Sequence, residues 1–341
     1  MTAMTPRRRR MAGAILALSL LGASLSACVS TAGAGGGKVQ LSLVAYSTPQ
    51  AAYTQIIKAF QATSAGRDVT FRQSYGASGD QSRSVVNGLK ADIVAFSLEP
   101  DMTRLVKAGL VAEDWKSGPG NGMVTDSVVV IGTRKGNPKK LRTWSDLTRP
   151  GVEVLTPNPF TSGGARWNVM AAYGAASAVD KDRAKGVAYL EALFGHVPVQ
   201  DDSARKSLQT FSGGKGDAIL AYENEAIFAR QKGQPMDYTI PDSTILIENP
   251  AAVTKTSPHP AEAKAFVEFL HGATAQKIFA ANGYRPTASD VAGAPAFPTP
   301  PGLFSIADLG GWTAVTTEFF DPANSVMADV ERRLGVATGK K

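Results

Sequence analysis

Four short segments place hydroxyl-bearing or glycine residues directly ahead of a helix: Ser47-Thr48-Pro49, Gly76-Ala77-Ser78-Gly79, Thr161-Ser162-Gly163-Gly164-Ala165 and Asp202-Ser203-Ala204-Arg205. A helix start offers unpaired backbone N–H groups and the positive end of its dipole. Glycine and serine let an anion come close to those donors, and each hydroxyl adds one of its own. Taken singly, every such segment is first of all a cap. Four in one chain favour an anion cleft.

Catalytic material is scarce by comparison. The three histidines, His196, His259 and His271, are scattered and lack metal-ligand spacing. Asp201-Asp202 and Glu223-Asn224-Glu225 read as solvated faces or helix-start acids. Gly213-Gly214-Lys215-Gly216 is a turn, because no Gly-Lys-Ser/Thr order follows a strand. No cofactor and no metal are expected. The chain reads as a binder rather than an enzyme, with an oxyanion-ester enzyme as the alternative of another class.

The elements that must hold these segments alternate. Val39 to Tyr46 is patterned as an inner strand, and Ala52, Ile56, Ile57 and Phe60 then fall at helical spacing. Val69–Ser74 and Ala91–Phe96 are further strands, with a helix opening at Ser78-Gly79-Asp80 between them. Later strands are expected at Ser127–Thr133, Val152–Leu155, Ala218–Tyr222 and Ile245–Ile247. A long helix follows Ser162-Gly163-Gly164. Trp312 to Leu334 reads as helical, broken at Asp321-Pro322. Such alternation predicts βαβ units with a parallel sheet, whose ligands gather at the strands' C-terminal ends. Two α/β lobes result, with the chain crossing between them near 126–134 and 240–250.

The N-terminus carries a different message. Arg7 to Arg10 precede the apolar Met11–Leu21, and Leu25-Ser26-Ala27 lead to Cys28, the single cysteine. This is the pattern of a lipoprotein export signal, with Cys28 as the acylated residue. A membrane span is the alternative, but the stretch is short and interrupted by Gly13 and Gly22. Cleavage removes four of the 36 basic residues and none of the 29 acidic ones, so the net charge falls from +7 to +3. No basic run survives for nucleic acid. With Cys28 in the anchor, neither a disulfide nor a thiol nucleophile is available. Ser30 to Gly37 is a flexible tether.

At this point several blocks together resemble the periplasmic sulfate-binding protein family. They are Arg72-Gln73-Ser74-Tyr75-Gly76-Ala77-Ser78-Gly79, Arg134-Lys135-Gly136-Asn137-Pro138, Thr156-Pro157-Asn158-Pro159, Ser162-Gly163-Gly164-Ala165-Arg166-Trp167-Asn168, Tyr222-Glu223-Asn224-Glu225-Ala226 and Tyr284-Arg285-Pro286. The resemblance runs in order from about Val39 to Trp312. It implies an α/β, two-lobed, type II periplasmic-binding-protein fold, each lobe a mostly parallel sheet flanked by helices, hinged by two crossover segments. The expected organisation is a signal peptide at 1–27, a tether at 28–38, lobe 1 at 39–130 and 244–310, lobe 2 at 131–243, and a helical tail at 311–341.

The resemblance also implies a role and a ligand set. The role is capture of sulfate for an ATP-driven importer, by a monomer tethered to the membrane through Cys28 on the extracytoplasmic face. Thiosulfate or molybdate is the alternative cargo. Ser78 would donate from the first lobe through its hydroxyl and amide. Ser162 would donate its hydroxyl, beside the amides of Gly163 and Gly164, and Ala204 an amide. Ser47 stands where the family commonly has aspartate, and Tyr222 where it has a tryptophan whose indole donates. Gly79, Arg166 and Arg205 are expected behind the direct contacts.

Overall fold

The computed structural model describes residues 38–288 and 291–338. The expected signal peptide, Cys28 and the tether up to residue 37 lie outside the described residues. Among those described, no helix is long and apolar enough to cross a membrane.

The chain opens with β1 (Val39–Tyr46), α1 (Gln50–Gln61), β2 (Val69–Gly76), α2 (Ser78–Val86), β3 (Ile93–Ala95) and α3 (Glu99–Lys107). The long β4 (Met123–Arg134) leads to β5 (Val154–Leu155), α4 (Gly163–Ala176), α5 (Arg183–Phe194) and α6 (Ala204–Ser212). Then come β6 (Ala218–Tyr222), α7 (Glu223–Gln231), β7 (Met236–Thr239) and the second long strand, β8 (Ser243–Val253). The chain closes with α8 (Pro260–His271), α9 (Ala273–Ala281), β9 (Gly302–Phe304), α10 (Gly311–Phe320) and α11 (Val326–Arg333).

Strand order is β2-β1-β3-β8-β4-β6-β5, with β7 added to β4 and β9 to β8. The expected parallel pairs are there: β1 with β2 and β3, and β5 with β6. The two long strands make the sheet mixed. β8 runs antiparallel to β3 at Ala251–Val253 and to β4 at Leu246–Pro250, while β4 continues antiparallel to β6 at Val129–Thr133. Each long strand thus belongs to both lobes, and the chain passes between lobes along them.

The buried hydrophobic side chains form four clusters, and the two largest are centred one in each lobe. In the first, Leu41, Leu43 and Ala45 of β1 pack on α1, α8 and α9, where Tyr53, Phe60, Phe266 and Phe279 meet. Their rings are packed edge to face, Phe60 on Phe266 at 5.2 Å and Tyr53 on Phe279 at 5.8 Å. In the second, α4 is buried nearly all round, as a helix without a polar face must be. Trp167 lies 4.7 Å from Trp312, and Tyr173 lies 4.6 Å from Phe319. The C-terminal helices α10 and α11 are therefore part of this second core, held there by the apolar area they bury.

Candidate functional site

The C-terminal ends of β1, β2 and β3 and the starts of α2, α4 and α6 converge on one small cavity between the lobes. It is lined by Tyr46, Ser47 and Thr48 after β1, by Ala77 and Ser78 at α2, and by Ser97 after β3. The second lobe contributes Ser162 and Gly164 at α4, Ser203 and Ala204 at α6, and Tyr222 at the end of β6. Eight of these eleven residues carry a hydroxyl and none is charged. Its volume is about 10 Å³, against the hundreds of Å³ typical of sites for organic ligands. Only a small guest fits.

The four segments singled out in the sequence all reach this place. Ser162 caps α4: its oxygen accepts the Ala165 amide at 3.3 Å, which leaves its own proton to give. Ser203 caps α6 in the same way, accepting the Lys206 amide at 3.4 Å. Amides of Ser78, Gly163, Gly164 and Ala204 sit in first helical turns, where the helix supplies no acceptor. Gly163 is not on the cavity surface itself. Its missing side chain admits the first lobe: a Cβ there would lie 2.3 Å from Leu98 Cδ2 and 2.8 Å from Ser97 Oγ. Gly164 faces the cavity, and a Cβ would stand 3.2 Å from Ala204 and 3.6 Å from the Tyr222 ring.

Ser78 is placed differently from expectation. Its hydroxyl donates to the buried Asp101 carboxylate at 2.6 Å and accepts the Ser97 amide at 2.9 Å. The amide is thus the donor that Ser78 has left for the cavity. Asp101 is in turn held by Arg104, 2.8 Å away.

Ser97, outside the four hydroxyl- and glycine-bearing segments, joins the two lobes. Its hydroxyl lies 2.6 Å from the Tyr222 hydroxyl, and its carbonyl accepts from Trp167 Nε1 and Asn249 Nδ2, each at 2.8 Å. Strand β3, then Phe96-Ser97, then α3 repeats the strand–hydroxyl–helix theme a fifth time, so the signal was present. Burial raises the Tyr222 phenol well above its ordinary range, with Tyr46 adding to the shift and hydrogen bonds to Ser97 and Asn249 opposing it. Tyr222 therefore keeps its proton at any physiological pH.

The residues expected behind the site divide. Gly79 donates its amide across the cleft to the Thr161 carbonyl at 3.1 Å. Arg205 also spans it, pairing with Glu225 at 2.7 and 2.9 Å while donating to the Thr48 carbonyl at 2.7 Å. Arg166 turns away, its Nε donating to the Pro159 carbonyl at 2.9 Å. The acids of Glu223-Asn224-Glu225 do start a helix, but they are buried rather than solvated. Glu223 pairs with Arg285 at 2.8 Å and Glu225 with Arg205. Burial raises both carboxyls and the arginines oppose it. Among the described residues, no group of histidines and acids is arranged to hold a metal.

This architecture recurs in known proteins. The family profile of bacterial extracellular solute-binding proteins matches residues 41–285. The sulfate-binding protein of Synechococcus elongatus is 43% identical, over 85% of this chain and 86% of its own. The chain belongs to the sulfate-binding family of bacterial extracellular solute-binding proteins. A solved structure, the sulfate-binding protein SubI from Mycobacterium tuberculosis H37Rv, superposes with a TM-score of 0.81 at 44% identity, covering 83% of this chain and all of that one. The thiosulfate-binding protein of Pseudomonas aeruginosa is 33% identical over 87% of this chain and 94% of its own. The fold is the type II periplasmic-binding-protein fold. Members of the family bind solutes outside the cytoplasm and are not enzymes.

Proposed function

We propose that this protein captures sulfate in the interlobe cavity and hands it to an ATP-driven importer. The observation that carries the reading is the lining: eight hydroxyl-bearing residues, three helix starts and no charged side chain around about 10 Å³. Sulfate at neutral pH is acceptor-only, so a shell of donors satisfies it. Monohydrogen phosphate has a proton that needs an acceptor. With no carboxylate on the surface, that proton costs roughly 1–3 kcal/mol if left unpaired. Each donor to the dianion contributes about 1.5–3 kcal/mol, most of it offset by lost hydration, so the guest stays releasable.

The direct contacts assigned by this reading are the amides of Ser47, Ser78, Gly164 and Ala204, the Ser162 hydroxyl and the Tyr222 phenol, with the Gly163 amide just off the cavity surface beside them. Relatives that bind sulfate support the choice of cargo. Thiosulfate is the second reading, favoured by Tyr222: a phenol is shorter than the indole implied by the family resemblance and leaves room for a longer anion. Calorimetric titration of the mature protein with sulfate, thiosulfate, molybdate and phosphate at fixed ionic strength tests both. Sulfate binding at least about tenfold tighter than thiosulfate supports the first reading, and the reverse order supports the second. Heat from neither would end both.

The tether is part of the proposal. Cleavage before Cys28 and acylation of its thiol would hold the domain at the outer face of the membrane, within reach of the importer, as a monomer. Cys28→Ser protein is expected in the soluble fraction or the medium. Retention at the membrane would speak for an uncleaved span.

A further inference from the structure

A second cavity, of about 640 Å³, lies on the other side of Phe160–Thr161, between α3, the start of α4 and α10. This volume is in the range of small-molecule sites. Four cationic residues line it: Arg83 and Arg104, paired with Asp80 at 2.6 Å and Asp101 at 2.8 Å, and Lys107 and Arg166, which have no ion-pair partner among the described residues. Its two acids are engaged elsewhere, Glu99 with Lys116 at 2.5 Å and Asp321 with the amides of Ala323 and Asn324 at 2.9 Å.

Arg166 is the informative member. It is 8% exposed, and only its Nε has a protein partner, the Pro159 carbonyl. Both terminal nitrogens are left without an acceptor among the described residues, beside the Phe320 ring at 4.9 Å. A guanidinium has five donors and a planar fork suited to a two-oxygen acceptor. Burial lowers this group to about 10; Asp101 opposes the shift, and the positive charges of Arg104 and Arg83 add to it. Lys107 is exposed at the rim and has no ion-pair partner among the described residues. Trp312, Phe320 and Pro100 supply apolar wall, and Thr316 adds a buried hydroxyl oxygen with no partner.

We propose that this cavity is a second binding site, for a small organic anion: a carboxylate, sulfonate or phosphate head on an apolar body. The head would take the free end of Arg166 with Lys107 beside it, and the body would lie against Trp312 and Phe320. Nothing in this inference rests on the sulfate reading of the first cavity.

The test is calorimetry on the mature protein, with and without excess sulfate, using benzoate, benzenesulfonate and phenyl phosphate, with benzyl alcohol as the neutral control. At least one anion should bind saturably with a Kd of about 10 mM or tighter, and at least about tenfold more tightly than the alcohol. The preferred head group then identifies the class. Arg166→Gln should abolish that heat. Because this variant removes a buried group, Thr317→Glu and Lys107→Glu, both at exposed positions, provide an independent check and should each weaken the anion about tenfold or more. Their sulfate titrations should stay unchanged. Absence of saturable binding by all three anions, equal binding of the alcohol, or indifference to all three substitutions would each overturn the proposal.

Discussion

The interlobe cavity and the cavity beside α10 share the segment Phe160–Ser162 as a wall, yet they are lined with opposite materials. One has hydroxyls and helix starts with no charge; the other has four cations around an apolar wall. Charges attract any anion and hold it, whereas a fixed set of neutral donors distinguishes anions by shape and by protonation. In the first cavity the nearest charges are kept one layer back. Asp101 is occupied by Ser78 and Arg104, and Arg205 by Glu225. Under the proposed reading, selectivity comes from what has been excluded from the surface.

The hardest test of that contrast is to stop the lobes meeting. In Gly163→Ala, the new Cβ would lie 2.3 Å from Leu98 Cδ2. Sulfate affinity is expected to fall about 100-fold or more while the circular dichroism spectrum is retained. Wild-type affinity in that variant would break the picture of a donor shell completed by both lobes.

Next comes the pair of long strands, where acids are partly buried. Asp126 on β4 faces Glu248 on β8 and exchanges backbone hydrogen bonds with Arg285. Burial, reinforced by Glu248 and opposed by Arg285, raises its carboxyl to about 7. A raised folded-state value means the native protein loses stability as pH rises from about 4 to about 7, and none further above that. Asp126→Asn should therefore be more stable than the parent by up to about 4 kcal/mol at pH 8, with the difference vanishing near pH 4. Denaturant titrations at the two pH values measure it. Equal gains at both would show that the effect is not ionisation.

A smaller effect is expected at Ser162. Ser162→Ala removes one charge-assisted donor and should weaken sulfate about tenfold by calorimetry. It also removes a cap, so its melting temperature is the control. The smallest change sharpens the comparison further. Raising sodium chloride from about 0.02 to about 0.2 M should weaken sulfate binding only a few-fold, because no cationic side chain lines the cavity. A loss beyond about tenfold would place a charged side chain in contact.

Much of this was legible in the sequence, and the reasons are local. Alternation in Val39–Tyr46 and helical spacing from Ala52 to Phe60 report burial directly, and β1 and α1 form there. The Ser-Gly-Gly and Asp-Ser-Ala-Arg segments announced their own caps, since capping needs only neighbouring residues. Ser47, Ser162, Ala204 and Tyr222 do line one cavity. What stayed hidden depends on distant partners. Ser78 and Asp101 are 23 residues apart, and nothing in either segment says that the hydroxyl is already committed. Ser97 and Tyr222 are 125 residues apart. The antiparallel returns of β4 and β8 were equally unreadable, because strand direction is set by the route of the whole chain. The second cavity needs α10, a tail in sequence that becomes a wall only once Trp312 packs on Trp167.

The hydroxyl lining has one more implication, for the surroundings in which such a domain works. Outside the cytoplasm, acidity follows the environment, and a receptor relying on histidine or carboxylate would load differently from one habitat to the next. Alcohol and amide protons are not surrendered anywhere between mildly acidic and mildly alkaline water, and sulfate, the proposed cargo, stays doubly ionised throughout. Uptake through this cleft should thus be indifferent to external acidity, even where the scaffold around Asp126 is not.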